Sequence, residues 1–147
     1  MQASSTMTRN VIVVPPELSL HAAWLVMQRE RIRHLPVVRA GALLGILSDR
    51  DILLRAKLDA NENIRVPADS VATAMTTSPV TTEADTSVTT IVELMTERKI
   101  DAIPIVHGLR LVGLVTTTDL ILLLIHREQD QRLPFDFKLE EASAAPA

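Results

Sequence analysis

Two stretches of this chain, Met7–Ile52 and Met75–Leu120, superpose without a gap at a constant offset of 68 positions. At that offset Met7 falls on Met75, Thr8 on Thr76, Ser19 on Ser87 and Met27 on Met95. Ile32 likewise falls on Ile100, Pro36 on Pro104, Gly45 on Gly113 and Asp51 on Asp119. An internal repeat constrains the fold more than any local pattern, because each copy must form the same supersecondary unit. One short unit buries too little apolar surface to close a core alone, so the two copies are expected to pack face to face. Matched polar residues then occur twice about a pseudo-twofold axis, and sites built by both halves are expected.

Each copy reads as strand, helix, strand, strand, helix. Val11–Val14 and Pro79–Thr82 are the expected opening strands. Ser19 and Ser87 are natural N-caps, since a serine oxygen accepts the free amide hydrogens of a first helical turn. Apolar residues then recur at helical spacing, Leu20, Ala23, Trp24 and Met27 in one copy and Val88, Ile91, Val92 and Met95 in the other. The spacing predicts strands over Leu35–Val38 and Leu43–Leu47, with counterparts over Ile103–Val106 and Leu111–Val115. Four-residue connections make each pair an antiparallel hairpin. Closing helices are expected over Ile52–Leu58 and Leu120–Arg127. The copies thus span 7–58 and 75–127, joined by a polar linker over 59–74 with a helical turn before Met75, and followed by a tail over 128–147. The fold class is α/β, two β-α-β-β-α units packed through their sheets.

Composition narrows the function. The net charge of −3 argues against nucleic acid, whose partners carry a basic excess. Arg29, Arg31, Arg33 and His34 nevertheless cluster, enough to receive one anionic ligand. Aromatic residues are only 2% of the chain, so a bound base would be held by aliphatic side chains or proline rather than by ring stacking. The chain has no cysteine, its first ten residues hold no signal-like apolar core, and no apolar run approaches the roughly 20 residues that cross a bilayer. A soluble cytoplasmic protein is the expectation. Leu120–Ile125 is apolar all round and needs cover on every side; burial within the monomer or a homodimer contact would supply it, and the homodimer is preferred in so small a chain.

The sharpest local signal is Gly45-Ile46-Leu47-Ser48-Asp49-Arg50-Asp51 with its counterpart Gly113-Leu114-Val115-Thr116-Thr117-Thr118-Asp119. Both place a Ser or Thr three residues before an Asp, where a strand gives way to a helix. Such a pair is a capping box and needs no ligand to explain it. Repetition in register, an upstream glycine that admits another backbone, and a helix N-terminus suited to an anion add a binding reading. An ionised Asp there offers two acceptor oxygens to a vicinal diol such as that of ribose.

With these residues in place, the repeat resembles a tandem pair of cystathionine β-synthase (CBS) domains, often called a Bateman module. The stretches that carry the likeness are Met7-Thr8 with Val11–Val14, Ile32–Val38 and Leu43–Ile52, and in the second copy Met75–Val80, Ile100–Val106 and Leu111–Leu120. The resemblance implies a regulatory sensor of AMP, ADP, ATP or S-adenosylmethionine, without catalysis and without a required cofactor, that controls an effector protein. By position it implies that Asp119 and Asp51 hold the ribose diol of two sites. Thr116 and Ser48 would contact ribose or phosphate, and Thr118 and Arg50 would reach phosphate. Adenine pockets would be lined by Thr76, Ser78 and Val80, and by Thr8, Asn10 and Ile12. Backbone at Ile103-Pro104 and Leu35-Pro36 would complete them, and Arg33 and His34 would receive phosphate across the cleft. Asp101-Ala102 replaces Arg33-His34 in the second copy, and Asp49 adds a carboxylate beside Asp51, so the Asp119 site is the stronger expectation.

Other constellations weigh less. His21, His34, His107 and His126 show no metal-like spacing. Ser48 lacks the glycines of a nucleophile elbow. Asp51 and Asp119 have no third group to activate water. Pro36 and Pro104 lie inside apparent strands, which points to edges or bulges, or to an amide removed beside a ligand. The competing functional reading is an interaction scaffold whose clefts are degenerate.

Overall fold

The computed structural model describes residues 1–125; the expected end of the last helix at Arg127, His126 and the tail lie outside the described residues. In chain order the elements are α1 (Leu20–Glu30), β1 (His34–Arg39), β2 (Ala42–Ser48), α2 (Asp49–Leu53), β3 (Lys57–Leu58), β4 (Ile64–Arg65), β5 (Thr76–Thr77), α3 (Val88–Arg98), β6 (Ala102–His107), β7 (Arg110–Thr116) and α4 (Thr117–Ile125). Short 3-10 turns at Ala3–Ser5 and Val71–Thr73 precede each copy. The long helices start where their serines dictate: Ser19 accepts from the Ala22 amide and Ser87 from the Thr90 amide, each at 3.1 Å. Both end on a left-handed residue, Arg31 and Lys99, whose amides bond back to Met27 and Met95.

One five-stranded sheet runs in the order β1-β2-β7-β6, with β5 on β2. The hairpins β1–β2 and β6–β7 share one register, down to a bulge at Val37/Val38 and another at Ile105/Val106. They meet at their tips, where Ala42 pairs with Arg110, its own equivalent in the repeat, and the pseudo-twofold axis passes there. Beneath the sheet lie two aliphatic cores. The first holds Leu20, Met27, Leu35, Val37, Leu47 and Ile52, and the second Ile91, Met95, Ile103, Ile105 and Val115.

The lead-in segments are exchanged. Ala3 sits fully buried in the second core, and the amides of Ala3 and Ser4 bond to the carbonyls of Thr86 and Ala84 at 2.8 and 2.9 Å. Reciprocally Val71 sits fully buried in the first core, with its amide 2.7 Å from the Leu18 carbonyl. Thr8 then pairs with Leu114 on β7, and Thr76 with Ile46 on β2. Gly45 and Gly113 make the crossing possible. A Cβ on Gly45 would stand 2.6 Å from the Thr76 carbonyl oxygen, and one on Gly113 2.5 Å from the Met7 sulfur. Residues 59–74, expected as linker, therefore include a contributor to the first core, and they also hold most of the β3–β4 hairpin.

Several expectations need correction. Val11–Val14 and Pro79–Thr82 are not strands; each keeps one parallel bridge, Val14 to Val37 and Thr82 to Ile105. Pro15 and Pro16 follow the first of them, and a proline has no amide hydrogen with which to continue a ladder. The hairpin strands run one residue further at each end than expected, leaving the two-residue turns Ala40-Gly41 and Gly108-Leu109. The closing helices begin three residues earlier, because Asp49–Asp51 and Thr117–Asp119 form polar first turns that apolar periodicity does not register. The first ends at Leu53, and Lys57–Leu58 belongs to a strand. Pro36 and Pro104 lie on the outer strands β1 and β6, each just ahead of its bulge. No residue of α4 is buried among the described residues: Ile121, Leu124 and Ile125 are 54%, 70% and 61% exposed. Burial of that helix within the described part of the monomer is excluded.

Candidate functional site

Exchange of the lead-in segments builds a cleft from both copies. The segment after Met7 lies along β7, the loop between α1 and β1 faces it, and the start of α4 closes the third side. The result is a cleft of about 250 Å³. Its apolar wall is Val11, Ile12, Ile32 and Leu114, all aliphatic. Thr8, Asn10, Thr116, Thr118 and Asp119 supply neutral and acidic polar groups. Arg31, Arg33 and His34 supply the basic side.

Asp119 is the centre of the polar network. Its Oδ2 accepts from the Thr116 amide at 2.8 Å and from the Thr116 hydroxyl at 3.1 Å. Its Oδ1 accepts from the Thr8 hydroxyl at 2.9 Å, which ties the first copy's lead-in to the second copy's helix. The Asp119 amide donates back to the Thr116 hydroxyl at 3.4 Å, so the capping box is present. A carboxylate has about four acceptor positions, and the three bonds leave one for a further donor. At the other end of the axis, Ser48 and Asp51 form the same box, with the Ser48 amide 2.8 Å from Asp51 Oδ2. Asp51 receives no hydroxyl from Thr76 among the described residues; Thr76 is exposed and paired only through its backbone.

The basic side has its own logic. Arg31 owes its place to the left-handed turn that ends α1. Arg33 is exposed and borders the cleft. His34 is half-buried at the start of β1. Burial first, and then the Arg33 guanidinium, hold its imidazole below the usual histidine value, against smaller opposite pulls from Asp101, Asp49 and Asp51. Arg29, the fourth member of the basic cluster, pairs with Glu30 at 3.1 Å and does not border the cleft.

Thr8, Asn10, Ile12, Arg33, His34, Thr116, Thr118 and Asp119 are thus brought together. Leu35, Pro36, Ile103 and Pro104 are buried within the strands and do not border this cleft. Ser48, Arg50, Asp51, Thr76, Ser78 and Val80 do not border it either; Ser48, Arg50, Asp51 and Thr76 belong to the pseudo-equivalent end of the axis. Val11, within the Thr8–Ile12 stretch expected to line a pocket, is part of the wall, and Ile32 and Leu114 complete it without having been singled out for it. They are ordinary apolar residues in sequence, and only the repeat offset, applied after the crossing is known, marks them. Among the described residues no group of three or more His, Asp or Glu side chains could hold a metal ion. No helix among them is long and apolar enough to cross a membrane.

The reciprocal pair of hairpins, the exchanged lead-ins and the repeated Ser/Thr-x-x-Asp caps define a class of protein, a pair of tandem α/β units that complete each other across a pseudo-twofold axis. The chain belongs to the CBS domain family, whose model matches residues 3–57 and 69–126. CBS domain-containing protein YhcV of Bacillus subtilis is 34% identical over 115 residues, covering 78% of this chain and 79% of that protein. The inosine-5'-monophosphate dehydrogenase of Halobacterium salinarum is 34% identical over 140 residues, covering 86% of this chain but only 27% of the enzyme. Among solved structures, the CBS domain pair of protein MJ0100, in complex with 5'-methylthioadenosine and S-adenosyl-L-methionine, matches with a TM-score of 0.74 at 25% identity. It covers 87% of this chain and 98% of that one.

Proposed function

We propose that the Asp119 cleft binds an adenosine-containing ligand and that occupancy regulates a partner protein. The observation that carries this reading is the junction of Asp119 with Thr8 across the two copies, in a cleft with an aliphatic wall on one side and Arg31, Arg33 and His34 on the other. A base fits between Val11, Ile12, Ile32 and Leu114, the ribose diol meets Asp119, and phosphate meets the basic side. The MJ0100 pair, bound to two adenosyl compounds, supports the ligand class. The cleft lies near the lower end of small-molecule sites, about 300 Å³, so a monophosphate suits it better than a triphosphate. For about 23 heavy atoms at about −0.3 kcal/mol each, affinity is roughly −7 kcal/mol, or a Kd near 10 μM. That range suits sensing of an abundant metabolite.

Regulation follows because the ligand touches both copies and stabilises one relative arrangement of them, which an effector protein reads. The reading is of a binding module and not of an enzyme, because both aspartates are engaged as helix caps. A second copy of the chain is the proposed cover for α4. Its exposed Ile121, Leu124 and Ile125 adjoin an apolar groove of about 270 Å³ between α3 and α4, bordered by Val92, Met95 and Leu120. Sedimentation of the chain should show a dimer that Leu124→Asp dissociates; a monomer at every concentration overturns that part.

A thermal-shift series with AMP, ADP, ATP, NAD and S-adenosylmethionine tests the ligand. At least one should raise Tm, and Asp119→Ala should remove the rise. Asp51→Ala is the control, since it loses a comparable cap, worth about 1 kcal/mol, at the other end. One observation favours the scaffold reading instead: the Ser48–Asp51 box is complete without any ligand. No shift with any compound, and equal destabilisation by the two alanine variants, would establish the scaffold.

A further inference from the structure

His34 stands between the two ends of the pseudo-twofold axis. On one side it borders the Asp119 cleft next to Arg31 and Arg33. On the other, its β2 partner is Ser48, the cap of α2, and the carboxylates of Asp49 and Asp51 on α2 and of Asp101 before β6 act on it. Asp119 borders the same cleft from α4, and the crossing segment contributes Thr8, Asn10, Val11 and Ile12, all uncharged. No other titratable group in the cleft ionises near neutral pH in its ordinary state.

We propose, resting on the ligand reading above, that His34 couples phosphate recognition in this cleft to proton uptake and so decides, by pH, how strongly a phosphorylated adenosine ligand is preferred over the bare nucleoside. Before phosphate arrives, burial and the adjacent Arg33 charge hold the imidazole below the usual histidine value, which favours its neutral form. A phosphate seated against Arg33 offsets that charge and sets an anion beside the ring. Opposite charge within about 4–6 Å favours the imidazolium. The ligand and a proton therefore bind together. By linkage, affinity for the phosphorylated ligand rises as pH falls through the bound-state pKa and levels off below the free-state pKa. Adenosine brings no anion and takes up no proton. At the other end of the axis Ala102 occupies the equivalent position, so the device exists once.

The test is calorimetric titration of the full chain and of His34→Gln with AMP and with adenosine, at about pH 6 and about pH 7.5, in buffers of different ionisation enthalpy. The phosphate's own second ionisation near pH 6 weakens AMP binding to both proteins alike, so the difference between them is the readout. The full chain should gain roughly three- to tenfold in AMP affinity on acidification relative to His34→Gln, with more proton uptake on binding AMP than His34→Gln shows and none on binding adenosine. AMP binding with the same pH profile and the same proton uptake in both proteins overturns the proposal and leaves the ligand reading intact. Failure of AMP and adenosine to bind either protein overturns the ligand reading, and this proposal with it. Should His34→Gln fail to fold, NMR titration of the His34 ring in the intact chain replaces it: AMP must raise its pKa, and an unmoved pKa overturns the proposal.

Discussion

At the repeat offset the residues around the Asp119 cleft convert one by one into those at the Asp51 end. Arg31 becomes Lys99, Arg33 becomes Asp101, His34 becomes Ala102, Thr117 becomes Asp49 and Thr118 becomes Arg50. The scaffold is held constant: the same caps, the same crossing backbone, the same bulges. Charge is not. One end gathers Arg31, Arg33 and a titratable His34 opposite a single carboxylate. The other has Asp49, Asp51 and Asp101 among its cations, a poor place for a phosphate. Duplication therefore supplies two sites in geometry, and side-chain substitution leaves one of them suited to an anion. The apolar side diverges too. Trp24 packs against the first core, whereas its equivalent Val92 is 42% exposed beside an open groove.

The largest expected effect separates the two glycines. Gly45→Ala drives a methyl into the Thr76 carbonyl, which is backbone and cannot yield, so it should cost about 3 kcal/mol in urea unfolding. Gly113→Ala meets the end of the Met7 side chain first, which can turn aside, and should cost about 1 kcal/mol. Equal losses would mean that the two crossings are equally rigid. Next in size, Trp24→Ala should cost about 2–3 kcal/mol and Val92→Ala about 0.5 kcal/mol, which denaturant melts resolve. Charge comes third. Arg33→Asp copies the second end into the first and should weaken AMP binding about tenfold, while Arg50→Thr at the other end should leave the Asp119 cleft unaffected. A drop with both would show one continuous site.

The smallest effect is in pH. His34 has its folded pKa below the ordinary 6.5, so the folded state disfavours its charged form. Without ligand, its contribution is neutral well above pH 6.5 and turns destabilising as pH falls through that value. Thermal melts of the ligand-free chain should lose stability on mild acidification more steeply than those of His34→Gln. Asp59 also loses stability on acidification, but at lower pH. The amides of Asn63 and Asn61 and the Arg65 side chain hold its carboxyl below its usual value, so its support of the β3–β4 hairpin is lost only as pH falls below about 3.8.

Much of this was readable residue by residue. Ser19 and Ser87 with the apolar stripes behind them give the starts of α1 and α3 to the residue, because capping and helical periodicity are local. The Ser/Thr-x-x-Asp boxes were legible for the same reason. The opening segments escape a local reading, since Val11–Val14 has strand composition but keeps one bridge among the described residues. The starts of the closing helices escape it too, since their first turns are polar. Ile32 and Leu114 could not be picked out as cleft walls, because nothing in a short apolar run says which surface it will face.

From the sequence alone followed the repeat, the helix and hairpin order, the paired caps and the charge difference between Arg33-His34 and Asp101-Ala102. Tertiary structure decided which copy completes which site. Met7-Thr8 and Met75-Thr76 could each have paired with their own sheet or with the other, and local pattern is the same in both cases. Gly45 and Gly113 announce that a backbone passes close, yet only the folded chain shows that it comes from the opposite half. That follows from physics: capping and periodicity act within a few residues, while pairing across about a hundred residues is set by the burial of Ala3 and Val71 in the partner core.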